Sequence, residues 1–263
     1  MDGKFPRRLA LVFVWCLALL ASVAAAQSTA APKFKPVFKR GLWAYADARG
    51  RLVIEPRFDA AGEFDNGLAR VGMVDEERPE VNGAPNLKWG YIDETGKVVV
   101  PLLYASLRSF AEGLAAAATR LEGVNPSHLR TRGDDSLRWG YVNRKGEVQI
   151  PIQYLSAGDF SEGLAPVNVN QPTAGGREAS MCDGPRNFGY INPAGVLVIE
   201  PQYTMATKFI DGRARVAQGG FEYLGRCLCC APRFRGTYGH VDRTGKFTPD
   251  PGTAGAEAEP DLP

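Results

Sequence analysis

Five aromatic residues set the limits on what this chain can fold into. Trp43, Trp89, Trp139, Phe188 and Tyr238 stand 46, 50, 49 and 50 residues apart. Seven residues after each comes a glycine (Gly50, Gly96, Gly146, Gly195, Gly245), and a proline follows shortly after it (Pro56, Pro101, Pro151, Pro201, Pro249). Twenty-one residues after each of the first four anchors stands a phenylalanine (Phe64, Phe110, Phe160, Phe209), and three residues later another glycine (Gly67, Gly113, Gly163, Gly212). Self-similarity at a fixed period of this length marks a repeat array, in which no unit buries its apolar face alone.

Within a unit the residues read as β-structure. Trp89-Gly90-Tyr91-Ile92-Asp93 is a short aromatic strand and Glu94-Thr95-Gly96-Lys97 a turn, with glycine free to take positive φ. Val98-Val99-Val100 is a second strand, which Pro101 is expected to end because proline cannot donate to the ladder. Tyr104 and Phe110 read as core plugs on an irregular segment, and Leu114-Ala115-Ala116-Ala117 as a third strand after Gly113. The tryptophans read as core residues, each packed on a phenylalanine of its own or an adjacent unit. Pro36-Val37-Phe38 reads as a stray third strand ahead of the first anchor, and the fifth unit stops after its hairpin.

The chain resembles the WG-repeat family. The likeness rests on Lys88-Trp89-Gly90-Tyr91-Ile92-Asp93 with Thr95-Gly96-Lys97, on Phe110-Ala111-Glu112-Gly113-Leu114-Ala115, and on their second copies Arg138-Trp139-Gly140-Tyr141 and Phe160-Ser161-Glu162-Gly163-Leu164-Ala165. It covers roughly residues 37–249. Block one departs from it with Trp43-Ala44, and blocks four and five replace the tryptophan, as terminal capping units tend to. The resemblance implies a β-repeat interaction or structural module and no chemistry. The expected fold is all-β: tandem three-stranded antiparallel units in an open, twisted β-solenoid or superhelix. The alternative is a closed, five-bladed propeller-like disc, in which residues 36–38 complete the truncated fifth block at 238–249.

From anchor to third-strand end every block is of constant length, at 43–71, 89–117, 139–167 and 188–216. All length variation falls in 72–88, 118–138, 168–187 and 217–237, which places the insertions on one face of the array. Loops held on a rigid scaffold are where binding usually resides. Loop 72–88 is acidic (Asp75, Glu76, Glu77 and Glu80 against Arg78 and Lys88). Loop 217–237 is aromatic and basic through Phe221, Tyr223, Arg226, Arg233, Phe234 and Arg235, a mixture that suits a polyanion or glycan but suits ordinary loop packing better.

No motif for chemistry emerges. His128 sits in an insertion and His240 at a strand position of the repeat, neither beside a plausible nucleophile. Gly175-Gly176 lacks a phosphate-loop context, and the acids Glu63, Glu112 and Glu162 near the phenylalanine turn read as turn chemistry. No cofactor or metal is expected. Cys182 in the third insertion and Cys227, Cys229 and Cys230 in the fourth read as two disulfides rather than a zinc site. Adjacent Cys229 and Cys230 are poor partners for each other, so Cys182 is expected to pair with the cluster.

Residues 1–26 read as a secretory signal: Lys4, Arg7 and Arg8, then the uncharged run Leu9 to Val23, then Ala24-Ala25-Ala26. The run is shorter than the roughly 20 residues of a spanning helix, so no stable membrane span is expected after cleavage. Residues 27–36 read as a linker and 250–263 as a disordered tail. Removal of the leader leaves 28 basic and 28 acidic residues, without the basic excess of a nucleic-acid binder. The sequence thus describes a periplasmic or secreted, non-catalytic binding or scaffold module, with a protein or glycan partner in the cell envelope. An envelope enzyme with a site built from the loops is the alternative.

Overall fold

A computed structural model of the chain describes residues 33–78, 80–81, 84–121, 137–169, 187–222 and 233–252. They form five antiparallel sheets and one small hairpin (Glu80–Val81 with Ala84–Pro85). Sheet I holds Lys35–Lys39, Leu42–Ala46 and Leu52–Phe58. Sheet II holds Ala60–Asp65, Leu68–Val74, Leu87–Asp93 and Val98–Tyr104. Sheet III holds Ser106–Leu107, Leu114–Arg120, Leu137–Asn143 and Val148–Tyr154. Sheet IV holds Ser156–Ala157, Ala165–Asn168, Phe188–Ile191 and Leu197–Tyr203. Sheet V holds Met205–Ala206, Arg213–Glu222, Arg233–Asp242 and Phe247–Pro249.

Each sheet from II to V is a four-stranded meander that straddles two sequence blocks. It takes the third strand of one block and the hairpin of the next, so Leu68 faces Asp93 and Leu114 faces Asn143. The expected count of three strands holds for sheet I; in the others the segment before the third strand adds a short outer strand, such as Ser106 and Leu107 opposite Ala118 and Ala117. The prolines do not end the second strands, which run on to Phe58, Tyr104, Tyr154 and Tyr203. These are outer strands of their sheets, where a missing N–H is tolerated.

The closed disc is overturned. The stray strand does not complete the fifth block; it pairs with the first anchor strand, Pro36 opposite Tyr45 and Phe38 opposite Trp43. The hairpin of the fifth block is already completed by the third strand of the fourth. The array is therefore open, with no sheet closed on itself among the described residues.

Four core clusters fill the four junctions between consecutive sheets. Each is built around the tyrosine two residues after the anchor. Tyr45, Tyr91, Tyr141 and Tyr190 are buried, and each ring lies on the phenylalanine of the next sheet's turn, at centroid distances of 4.8, 4.7, 4.8 and 5.0 Å. Each hydroxyl donates to a backbone carbonyl 17 residues on: Gly62 at 2.8 Å, Arg108 at 2.8 Å, Gly158 at 2.7 Å and Thr207 at 2.9 Å. The partner of the phenylalanine is therefore this tyrosine. The tryptophans sit half-buried at the margin of the same clusters. Burial pushes the Tyr91 phenol up to about 12 and the other three further still.

The glycine after the anchor has a steric cause. The register slips between Trp139 and Tyr141, and the bulge brings the facing backbone over Gly140. A Cβ there would lie 2.6 Å from the Ile150 carbonyl oxygen and 2.7 Å from that of Pro151; Gly90 and Gly189 face Val100 and Ile199 at 2.5 and 2.6 Å. These neighbours are backbone and cannot rotate away. We therefore expect Gly140→Ala to destabilise the protein by about 1–3 kcal/mol through overpacking, read as a lowered urea midpoint at unchanged slope; an unchanged midpoint would contradict the steric account.

Candidate functional site

In sheets II to V the anchor strand runs from an insertion at its start to a tight turn at its end, so each of these sheets has an insertion end and a turn end. At the turn end, residue four of each hairpin is Asp or Asn: Asp47, Asp93, Asn143, Asn192 and Asp242. Each side-chain oxygen accepts two backbone N–H groups, from residues two and four further on, at 2.9–3.1 Å. The turn glycine then lies on the outer strand of the preceding sheet: Gly96 against Ile54, Gly146 against Val99 and Val100, Gly195 against Ile150, Gly245 against Ile199. Gly50, in the first sheet, meets nothing within 4 Å.

The acids of the phenylalanine turn also join neighbours. Glu112 and Glu162 adopt positive φ of 52° and 55°, and their carboxylates accept the N–H of Gly163 and Gly212 one unit on, both at 2.9 Å. Arg144 donates to the Asn66 carbonyl at 2.6 Å and lies 5.0 Å from the Phe110 ring. Glu63 is outside this ladder, on an outer strand three residues before Asn66. The turn end is thus consumed by joints between units.

At the insertion end each anchor sits at the base of its insertion, with Trp89 opposite Gly72, Trp139 opposite Ala118, Phe188 opposite Asn168 and Tyr238 opposite Ala217. Four anchors carry a cover: Phe38 on Trp43 at 5.3 Å, Arg70 on Trp89 at 4.8 Å, Arg108 on Trp139 at 5.4 Å and Arg215 on Tyr238 at 5.7 Å. In the first insertion Glu76, Glu77 and Glu80 are exposed, but the fourth acid is not. Asp75 is buried, 2.8 Å from the Lys88 ammonium, and accepts the Glu77 N–H at 3.2 Å. Burial pushes its carboxyl up, but Lys88 and the backbone donors outweigh that and hold it below the usual range.

In the fourth insertion the sheet V hairpin extends to Glu222 opposite Arg233, with Phe221 opposite Phe234. Phe234 is buried and its ring lies 5.0 Å from Tyr238; Arg235 is exposed and partnered. Tyr223, Arg226, His128 and all four insertion cysteines (Cys182, Cys227, Cys229, Cys230) lie outside the described residues. His240 occupies the tyrosine position of the last unit and pairs through Nδ1 with Asp250 at 3.0 Å. Asp250, read as the start of the tail, also donates its N–H to Tyr238 and so belongs to the last sheet. Likewise Phe34 and Lys35, read as linker, already belong to the fold. Among the described residues no three His, Cys, Asp or Glu side chains converge as a metal site.

A row of like sheets, each contributing one aromatic and four of the five contributing an insertion to the same end, defines a tandem β-repeat protein. The WG containing repeat pattern matches residues 43–73, 89–118, 139–171 and 188–220, and the chain belongs to that family. No curated protein matches it.

The aspartate turns give a pH prediction. Asp47 is lowered chiefly by the N–H of Arg51, Asp93 by the Thr95 hydroxyl and Asp242 by the Thr244 hydroxyl. A folded value below the unfolded one adds stability that is present above the unfolded value and lost as pH falls through the folded one. The Asn143 and Asn192 turns carry no such dependence. Replacing all three aspartates by asparagine should therefore flatten the loss of stability below about pH 4 in urea melts; an unchanged slope would contradict it.

Proposed function

We propose that the protein is a non-catalytic binding or scaffold module of the cell envelope that engages a protein or glycan partner through its inter-repeat loops. The observation that supports this is the asymmetry of the sheets. Their turn end is occupied by joints between units, while all four insertions, with their differing lengths and charges, leave from the other end on strands fixed by the core. The test is capture of partners from envelope extract by the full chain and by variants in which 122–136, 170–186 or 223–232 is replaced by a short Gly-Ser turn. The partner should be lost with at least one replacement and kept with Glu112→Gln. Capture unaffected by any replacement would overturn the reading.

Export is part of the same proposal. Mass spectrometry of protein from native cells should find Gln27 as the first residue; an intact Met1 in a cytoplasmic fraction would contradict it.

A disulfide from Cys182 to Cys229 or Cys230 fits this picture, because their insertions leave the same end of consecutive sheets IV and V. Closing a loop of this length would stabilise by about 4 kcal/mol. Non-reducing peptide maps should show the crosslinked peptide; four free thiols, or bound zinc released by acid, would exclude it.

A further inference from the structure

Among the described residues one anchor lacks the cover that the others carry. Where Arg70 and Arg215 lie over Trp89 and Tyr238, the equivalent residue beside Phe188 is Pro166. Arg108, which covers Trp139, corresponds in the next block to Gly158. The two substitutions belong together, since a Cβ on Gly158 would lie 2.6 Å from the Pro166 ring. Both sources of a covering guanidinium are therefore missing at Phe188. In their place is a cleft of about 280 Å³, walled by Phe188, Pro166 and Ala206 and edged by Arg108, Asp159 and Lys208.

The polar rim is not self-satisfied. Among the described residues the Asp159 Oδ1 atom is enclosed and accepts no hydrogen bond; the Arg108 guanidinium lies 3.8 Å from it, and the rest of the carboxylate is half-exposed. Lys208 is exposed and makes no ion pair among the described residues. The cleft thus offers two cations, the half-exposed carboxylate of Asp159 as an acceptor, and one aromatic face uncovered among the described residues. A simple anion would use only the cations. A ligand that uses all three carries a carboxylate, an N–H close to it and an apolar group, which is the last residue of a peptide.

We infer that this cleft binds the free C-terminus of a peptide ending in an apolar or aromatic residue. The terminal carboxylate lies between Arg108 and Lys208, the N–H of the last residue donates to Asp159, and its side chain covers Phe188 and Pro166. The cleft is at the lower bound of ordinary ligand pockets, which suits one terminal residue and not a long segment. The site uses none of the insertion residues, so it stands or falls separately from the binding mode proposed above.

The probe is acetyl-Gly-Gly-Phe with a free carboxylate, titrated into the full chain labelled with ¹⁵N. Saturable shifts should centre on the amides of Gly158, Asp159, Thr207 and Lys208. The C-terminal amide of the same peptide, and Lys208→Ala with the free acid, should each bind about tenfold more weakly, as expected for loss of one charge-assisted contact. Asp159→Asn should also weaken binding, and the Gly-Ser replacements of the insertions should bind as the parent does. Lys208 is exposed, so its variant should melt as the parent does. Absence of saturable shifts up to about 10 mM would overturn the proposal. So would equal binding of the amide, acetate or glucuronate, or a folded Lys208→Ala variant with unchanged affinity.

Discussion

The buried tyrosine at each junction is the interaction on which the array depends. Tyr45, Tyr91, Tyr141 and Tyr190 each belong to one sheet and satisfy themselves on the next, through a ring on phenylalanine and a hydroxyl on a carbonyl. An aromatic contact of this kind contributes about 0.5–1.5 kcal/mol beyond area burial, and leaving its hydroxyl or the carbonyl unpaired in the core would cost about 1–3 kcal/mol. A tyrosine at this position therefore both demands and recognises a following sheet. The turn glycine makes the reciprocal contact, laid on the outer strand of the sheet before.

The same logic explains the ends. Among the described residues Gly50 has no preceding sheet to meet, and Phe34 fills space beside Phe64, 6.1 Å between centroids, in the first cluster. At the other end no sixth sheet is available to a tyrosine among the described residues. His240 stands in its place, paired with Asp250 and not with a later carbonyl. Pro249 occupies the position of the buried Ile54, Val100, Ile150 and Ile199.

The block boundaries, the turn glycines and the phenylalanine-to-glycine turn were legible in the sequence because each is a fixed position of the period. The phase of the sheets was not. The strand that opens sheet III is Ser106–Leu107, too short for any alternation to show. Trp89 and Trp139 drew the eye by size, yet Tyr91 and Tyr141 beside them recur as faithfully and take the buried positions. The turn-capping position was visible too, disguised by alternation of Asp and Asn. The uncovered Phe188 could be read only once Pro166 and Gly158 were placed against it. The glycine of the Trp-Gly pair likewise needed the bulge opposite it.

If the junctions are independent joints in a nearly one-dimensional array, damage at one should be felt chiefly beside it. Native-state hydrogen exchange of Tyr141→Ala measures this directly. Sheets IV and V should uncouple and lose protection relative to sheets I and II, which keep theirs, because the lost tyrosine joins III to IV. Uniform loss of protection across all five sheets, or loss confined to the strand Leu137–Asn143, would contradict the account.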